Sequence, residues 1–331
     1  MTSEVPRGVA EAAAGWLWEH REGFRLGQDA LAAHGDVNRT WKPLGELAQV
    51  CVPVLHHTPV GTLLHESAAG LLDFAWQETG QGAVLNELQR LEPFATYPLE
   101  IYAAFTSGGL RHAGFEQATA LVAATRGWRG WEQVPTRKLG VLNSERRAGL
   151  AQHDTVSAAL ERTWLASLAE PWVFDREVGY TLTHTVFHLT DWGHDAQGVP
   201  PYLADYLELW LPAWLATCME DDQWDLSCEL LAVAANLPRL SSHPDTDTEA
   251  EADTIWETIA AAQTGGCLPE VGPGPLGRAM AQDFTHCYHS TLMALFAGAL
   301  TSARPPMGNT HDPGGDGRQS FQEARGQGVA T

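Results

Sequence analysis

Apolar residues recur at three- and four-residue spacing along almost the whole chain, and strand-like alternation is nearly absent. The spacing predicts about twelve helices, over roughly residues 9–24, 43–57, 60–78, 83–94, 98–112, 116–125, 144–168, 176–192, 202–219, 225–237, 253–263 and 277–300. Proline and glycine separate them at Pro98, Pro171, Pro200-Pro201, Pro238 and Pro273-Gly274-Pro275. Polar helices loosely alternate with helices almost free of Lys and Arg, as an outer and an inner layer would. The expectation is an all-α fold, an α/α toroid of about six helical hairpins whose inner helices line a central cavity. Residues 1–302 form it as a single domain. Within it, Ser241–Asp253 (SSHPDTDTEAEAD) is expected to be a solvated acidic loop. Residues 303–331, rich in Gly, Pro and polar side chains, are expected to be a disordered tail.

Two of these helices carry chemistry. In EVGYTLTHTVFHLTDWG (residues 177–193), a turn of about 100° per residue places Glu177, Thr181, His184, His188 and Asp191 in a stripe about 80° wide. Val178, Leu182, Val186 and Leu189 fall opposite. Solvated stripes normally carry Lys, Arg and Glu, yet no Lys or Arg occurs between Arg176 and Arg239. A buried helix with its polar stripe facing a cavity is therefore expected. In DFTHCYHSTLMALFAGAL (residues 283–300), Asp283, His286, Cys287, His289 and Ser290 share one side. Phe284, Tyr288, Leu292, Leu295 and Phe296 share the other.

His184 and His188, at i and i+4, are spaced to reach one metal ion from a single helix. Asp191 or His289 could add a third ligand, which leaves a position open for a reactive water. Thr185 stands where the HExxH motif of metalloproteases has Glu. The same stripes suit a metal-free His–carboxylate acid/base pair, or core histidines bonded to backbone and Thr. Elsewhere, His56-His57 before Pro59 reads as a helix end, and His65-Glu66 could face the same cavity. Tyr97, Glu100, Ser107 and Arg111 form another helical stripe.

Composition narrows the function. A chain of 331 residues that is 44 % apolar can bury a large core. Acids outnumber bases 41 to 20, for a net charge of −21, which argues against nucleic-acid and membrane-surface partners. Lys42 and Lys138 are the only lysines, and the arginine bias reads as genomic composition. No apolar run approaches the ~20 residues that span a bilayer, no signal peptide opens the chain, and five scattered cysteines form no CxxC pair. A reducing cytoplasm is the expected compartment. Thirteen tryptophans fill a core or line a cavity. There is no GxGxxG, GxxxxGK[ST], GxSxG or EF-hand motif.

AQTGGCLP (residues 262–269) resembles the Gln/Gly turn that ends repeats in toroidal terpene cyclases and prenyltransferases. The following DFTHCYHSTL (residues 283–292) is similar to the Asp-Phe, Tyr-His-Thr segment of protein prenyltransferase β subunits, whose histidine binds zinc. The matching position is His289. Cys287-Tyr288 is similar to the Cys ligand of lanthionine cyclases, another zinc toroid. The prenyltransferases' paired Asp and Cys ligands, the DxDD of class II terpene cyclases and the Cys-His pair of lanthionine cyclases are missing. The resemblance covers residues 255–300 and implies architecture more than activity. VFHLTDWG is also similar to helical proteins of actinobacteria, which implies specialised metabolism.

The expectation is a metal-dependent enzyme acting on a small or peptide-like substrate in a Trp-lined cavity, by hydrolysis, elimination or cyclisation. His184, His188 and His289 would hold a divalent metal, zinc by resemblance. Asp191, Asp283, Glu177 and His286 would act as acid, base or orienting groups. The alternatives are a metal-free acid/base enzyme, with glycans as one substrate class, and a non-catalytic binding or scaffold protein.

Overall fold

The helices sort into a ring and a surround. A computed structural model describes residues 4–32, 35–237, 246–272 and 283–304. Among them are fourteen α-helices and no strand beyond a single bridge between Thr264 and Cys267. Six helices contact one another in a closed cycle: α2 (Trp41–His57), α5 (Tyr97–Ser107), α8 (Pro135–Arg147), α10 (Arg176–Leu189), α12 (Trp224–Asn236), α14 (Tyr288–Ala303), and back to α2. The others lie outside and alternate with the ring along the chain. α1 (Glu4–Glu19) packs on α14, α3 (Leu63–Glu78) on α2, and α4 (Ala83–Leu91) on α5 and α6 (Ala113–Ala123). α7 (Arg126–Trp131) touches α6, α9 (Val156–Leu160) packs on α8, α11 (Pro201–Glu220) on α12, and α13 (Thr246–Ala262) on α1. No helix of the described residues is long and apolar enough to cross a membrane.

The ring helices run in one direction. Gly45 packs on Ile101 and Gly108 on Val52, so α2 and α5 advance together. Thr136 meets Thr185 and Arg147 meets Asp191, so α8 and α10 do the same. Gly193, just past α10, lies against His57, Asn236 and Leu300, at the C-terminal ends of α2, α12 and α14. Their N-terminal ends therefore gather at the opposite mouth. Proline opens α8 and α11, where its missing N–H costs nothing. Asp175 caps α10 by accepting the Val178 N–H at 2.8 Å.

Several boundaries differ from the sequence expectation. The single helix expected over residues 144–168 is instead the end of α8, then α9, then a 3₁₀ turn at Leu165–Ser167. α8 itself escapes the apolar pattern because Thr136, Lys138, Asn143, Ser144 and Glu145 are buried alongside Leu139, Val141 and Leu142. Trp128 donates to Glu145 at 2.8 Å, and Lys138 to the Arg129 carbonyl at 3.2 Å. α10 stops at Leu189, because Asp191 and Trp192 turn left-handed (φ 51° and 56°) ahead of Gly193. α14 begins at Tyr288, after a 3₁₀ turn over Phe284–His286, so Asp283 and His286 do not share its face. α13 starts at Thr246, inside the expected acidic loop, while residues 241–245, 277–282 and the tail from 305 lie outside the described residues.

The left-handed turn is pinned by charge. The Arg147 side chain is only 4 % exposed, and its Nε lies 2.5 Å from Asp191 Oδ1, with Gln49 at 2.9 Å. Burial alone would raise the Asp191 carboxyl, but Arg147 and Arg146 hold it below its ordinary 3.8. A depressed carboxyl contributes stability above its unfolded value and loses it as pH falls through the folded one. Asp191→Asn should thus cost roughly 3–5 kcal/mol at neutral pH, since it leaves Arg147 buried and unpaired. The cost should shrink below pH 3.8, where the wild-type carboxylate itself protonates. Urea unfolding at about pH 7 and about pH 3 checks this; an equal cost at both would exclude the ion pair as its source.

Candidate functional site

The mouth where the N-terminal ends of α2, α10, α12 and α14 meet holds a cavity of about 320 Å³. Two ring helices aim an i, i+4 pair at it, Lys42 and Glu46 from α2 and Tyr180 and His184 from α10, and α12 adds Asp225, with Glu229 one turn on and fully buried. α14 adds His289. Its Nδ1 lies 3.1 Å from Glu46 Oε2. Its Nε2 lies 3.2 Å from Glu229 Oε1 and 3.6 Å from Asp225 Oδ1. His184 Nε2 is 3.6 Å from the same Glu229 oxygen.

The remaining lone pairs are nearly all used. Thr183 donates a short hydrogen bond to Glu229 Oε2. Tyr180 Oη donates to Asp225 Oδ2 at 2.5 Å, and Arg176 holds that phenol at 3.2 Å. Asp225 Oδ1 has no hydrogen-bond partner among the described residues, although Asp225 is only 3 % exposed. A buried carboxylate oxygen left this way is costly and calls for an explanation. One ligand atom each from Asp225, Glu229 and His289 lies within 4.8 Å of the other two.

The protonation states follow from these contacts. Burial disfavours a charged His289, but Asp225 and Glu46 outweigh it and raise the imidazole well above 6.5. Burial likewise opposes charge on His184, and Glu229 raises it. Burial would raise Glu229, but His184 and His289 bring it down to about 2. Asp225 goes the other way: burial, with Glu229 beside it, lifts it to about 6 against the pull of His289. Burial keeps Tyr180 and Tyr288 protonated, so both remain donors.

The profile of one protein family, described as domain of unknown function DUF6895, matches residues 10–299, a span that contains this whole site. The chain belongs to that family. No curated protein and no solved structure matches it.

In this DUF6895 chain, two of the three histidines expected to share a metal, His184 and His289, meet at Glu229. His188 does not reach the cluster. It lies against Gly140 with Nδ1 unpartnered among the described residues, and burial next to His184 drops it to about 3. Of the expected acid/base groups, His286 lines the cavity from the 3₁₀ turn. Asp191 is bound to Arg146 and Arg147, past the end of α10. Asp283 is exposed and caps the 3₁₀ turn by accepting the Thr285 N–H at 3.0 Å. Glu177 is exposed in the first turn of α10. No tryptophan is among the cavity's described lining, whose aromatics are Tyr180, Tyr288 and the histidines. His65 bonds the Thr58 carbonyl at 3.1 Å, Glu100 bonds Arg137, and His57 caps the Gly193 carbonyl at 3.0 Å.

Glu46, Asp225 and Glu229 were not legible as site residues, and Asp225 reads from sequence as a solvated acid. Yet α12 (WDLSCELLAVAAN) has no base and is otherwise apolar or small, so its carboxylates at i and i+4 gave the same signal as the histidine stripes.

Such a cluster opposes folding. Replacing Asp225 and Glu229 together by Asn and Gln removes two buried charges and leaves Glu46 paired with His289. This double variant should melt above the wild type in EDTA. His289→Ala strands three carboxylates and should lose on the order of 3 kcal/mol. Scanning calorimetry decides; a double variant less stable than the wild type would mean that the cluster serves the fold.

Proposed function

We propose that the protein is a metal-dependent enzyme that acts on a small molecule in the cavity at the N-terminal mouth of the ring. One observation carries this reading. Around His289 Nε2, the Glu229 and Asp225 oxygens stand at 3.2 and 3.6 Å, with the Asp225 oxygen buried and otherwise unpartnered. Ligands at ordinary metal distances in a tetrahedral set are roughly 3.3–3.6 Å apart. Glu46 on Nδ1 is the carboxylate that fixes a metal-bound imidazole's tautomer and orientation. One nitrogen and two carboxylates suit a divalent first-row ion, zinc or the harder manganese. Such an ion supplies a polarising charge and an activated water near neutral pH.

The chain's own residues then divide the work. Asp225, Glu229 and His289 bind. Tyr180 and Thr183 hold the two carboxylates in place. His184, with its side chain 41 % exposed at the cavity and Glu229 beside it, can hold and release a proton there. Hydrolysis, elimination and cyclisation all fit this set. We read the closed helix cycle as the inner ring of an α/α toroid, in line with the resemblance at residues 255–300. Five buried cysteines, none of them in a disulfide, support a reducing, cytoplasmic setting. A metal-free acid/base reading draws on the split between Asp225, about 6, and Glu229, about 2.

Metal analysis separates the two. Protein purified without a histidine tag should carry about one equivalent of a divalent transition metal, following the one site described. Asp225→Asn and His289→Ala should lose it, Glu46→Gln should bind it about 10–100-fold more weakly, and His188→Ala should keep it. A protein that stays below a tenth of an equivalent, and binds neither zinc nor manganese on titration, would rule the metal reading out.

A further inference from the structure

The cavity has a negative floor and a positive rim. Its floor is Glu46 and Asp225, with Glu229 buried behind them. Its rim carries Lys42, on α2, and Arg176, on α10, on either side of α12 and α14, with Glu270 paired to Arg176. The chain has only two lysines. Lys138 is buried with its ammonium on the Arg129 carbonyl. Lys42 is half exposed, and its nearest carboxylate oxygen, on Glu46, is 3.8 Å away. That is beyond hydrogen-bond range, and its ammonium makes no hydrogen bond among the described residues. Arg176 uses Nη2 for both Glu270 and Tyr180, which leaves Nε and Nη1 of its fork unused among the described residues. Four ring helices also turn the positive ends of their dipoles toward this mouth. In a chain of net charge −21, two cations with spare donors at the rim of one cavity are not accounted for by its general composition.

We propose that this cavity takes a small molecule bearing an oxyanion, a carboxylate or a phosphate, which Lys42 and Arg176 grip at the rim while the rest of the molecule reaches Asp225, Glu229 and His289. The inference names the substrate class of the site and rests on the functional reading given above. The carboxylates of the floor repel an anion, so the rim is the place for its charged head. The reacting end then points inward, toward His184. A volume of about 320 Å³ is at the small end for ligand cavities, so the molecule is small.

Calorimetric titration of the full chain tests it, with succinate, glycerol 3-phosphate and neutral succinamide as probes. Each is run on protein loaded with one equivalent of zinc and on EDTA-dialysed protein, with metal content measured on every sample. At least one anion should bind saturably, about tenfold or more tighter than succinamide. Lys42→Gln and Arg176→Gln should each weaken that anion about tenfold, leave succinamide and metal content unchanged, and lessen the salt dependence. Whichever acid binds more tightly identifies the head group. Equal binding of succinamide, unchanged affinity in both variants, or no saturation by either anion below roughly 10 mM overturns the proposal. Charge-selective binding in zinc-free protein that takes up no metal would overturn the metal reading and keep this one.

Discussion

The imidazole of His289 is the contact on which the mouth of the ring depends. Its two nitrogens face carboxylates from two different helices, Glu46 on α2 and Glu229 on α12. α14 is the member that joins those helices in the cycle. Closing the ring and building the site are therefore one set of contacts. A charged imidazole in this place loses its hydration, and only close, multiple partners offset that loss. Thr183 and Tyr180 supply the rest by tying down the far oxygens of Glu229 and Asp225. Within the cluster around His289, Asp225 Oδ1 is the buried carboxylate oxygen left without a hydrogen-bond partner among the described residues.

The common direction of the ring helices decides what kind of site each end can be. N-terminal ends favour negative groups, and the carboxylates of Glu46 and Asp225 sit in the first two turns of their helices. C-terminal ends favour positive or hydrogen-donating groups. There His57 meets the Gly193 carbonyl, the His56 and His194 rings lie 4.2 Å apart at a tilt of 35°, and Arg147 is buried on Asp191. Burial lowers His57 and His194, so this far end carries little charge of its own besides the Arg147 pair. The polarity of the ring thus follows from backbone dipoles before any side chain is considered.

The sequence reading recovered most of the helices because their apolar faces recur at helical spacing, and it located α10 and α14 because bases are missing from them. It failed where a different force decides the structure. α8 mixes buried Leu139, Val141 and Leu142 with buried polar contacts such as Trp128 to Glu145, which blur its apolar stripe. Asp191 left its predicted stripe because a left-handed turn, fixed by two arginines, ends α10 at Leu189, two residues before it. Asp283 left its own because three residues of 3₁₀ turn rotate it away from His289. Glu46 could not be paired with His289, 243 positions away, without knowing that the ring closes. Periodicity reports faces within one helix; it does not report which faces meet.

The charges at the mouth show why the rim and the floor cannot be exchanged. The carboxylates of Glu46, Asp225 and Glu229 outnumber a protonated His289, and a protonated His184 narrows the deficit without closing it. Lys42 sits too far from Glu46 to hydrogen-bond it, and Arg176 reaches Asp225 only through Tyr180. Lys42 therefore offsets Glu46 only through space, and Arg176 is paired first with Glu270. The unpartnered Asp225 oxygen marks where that missing charge is felt. A divalent ion held there would displace the Nε2 proton of His289, so it would add one net positive charge and lessen the repulsion of an incoming anion, whose orientation the rim cations would set. On this view the deficit at Asp225 and the spare donors on Lys42 and Arg176 are two halves of one electrostatic arrangement.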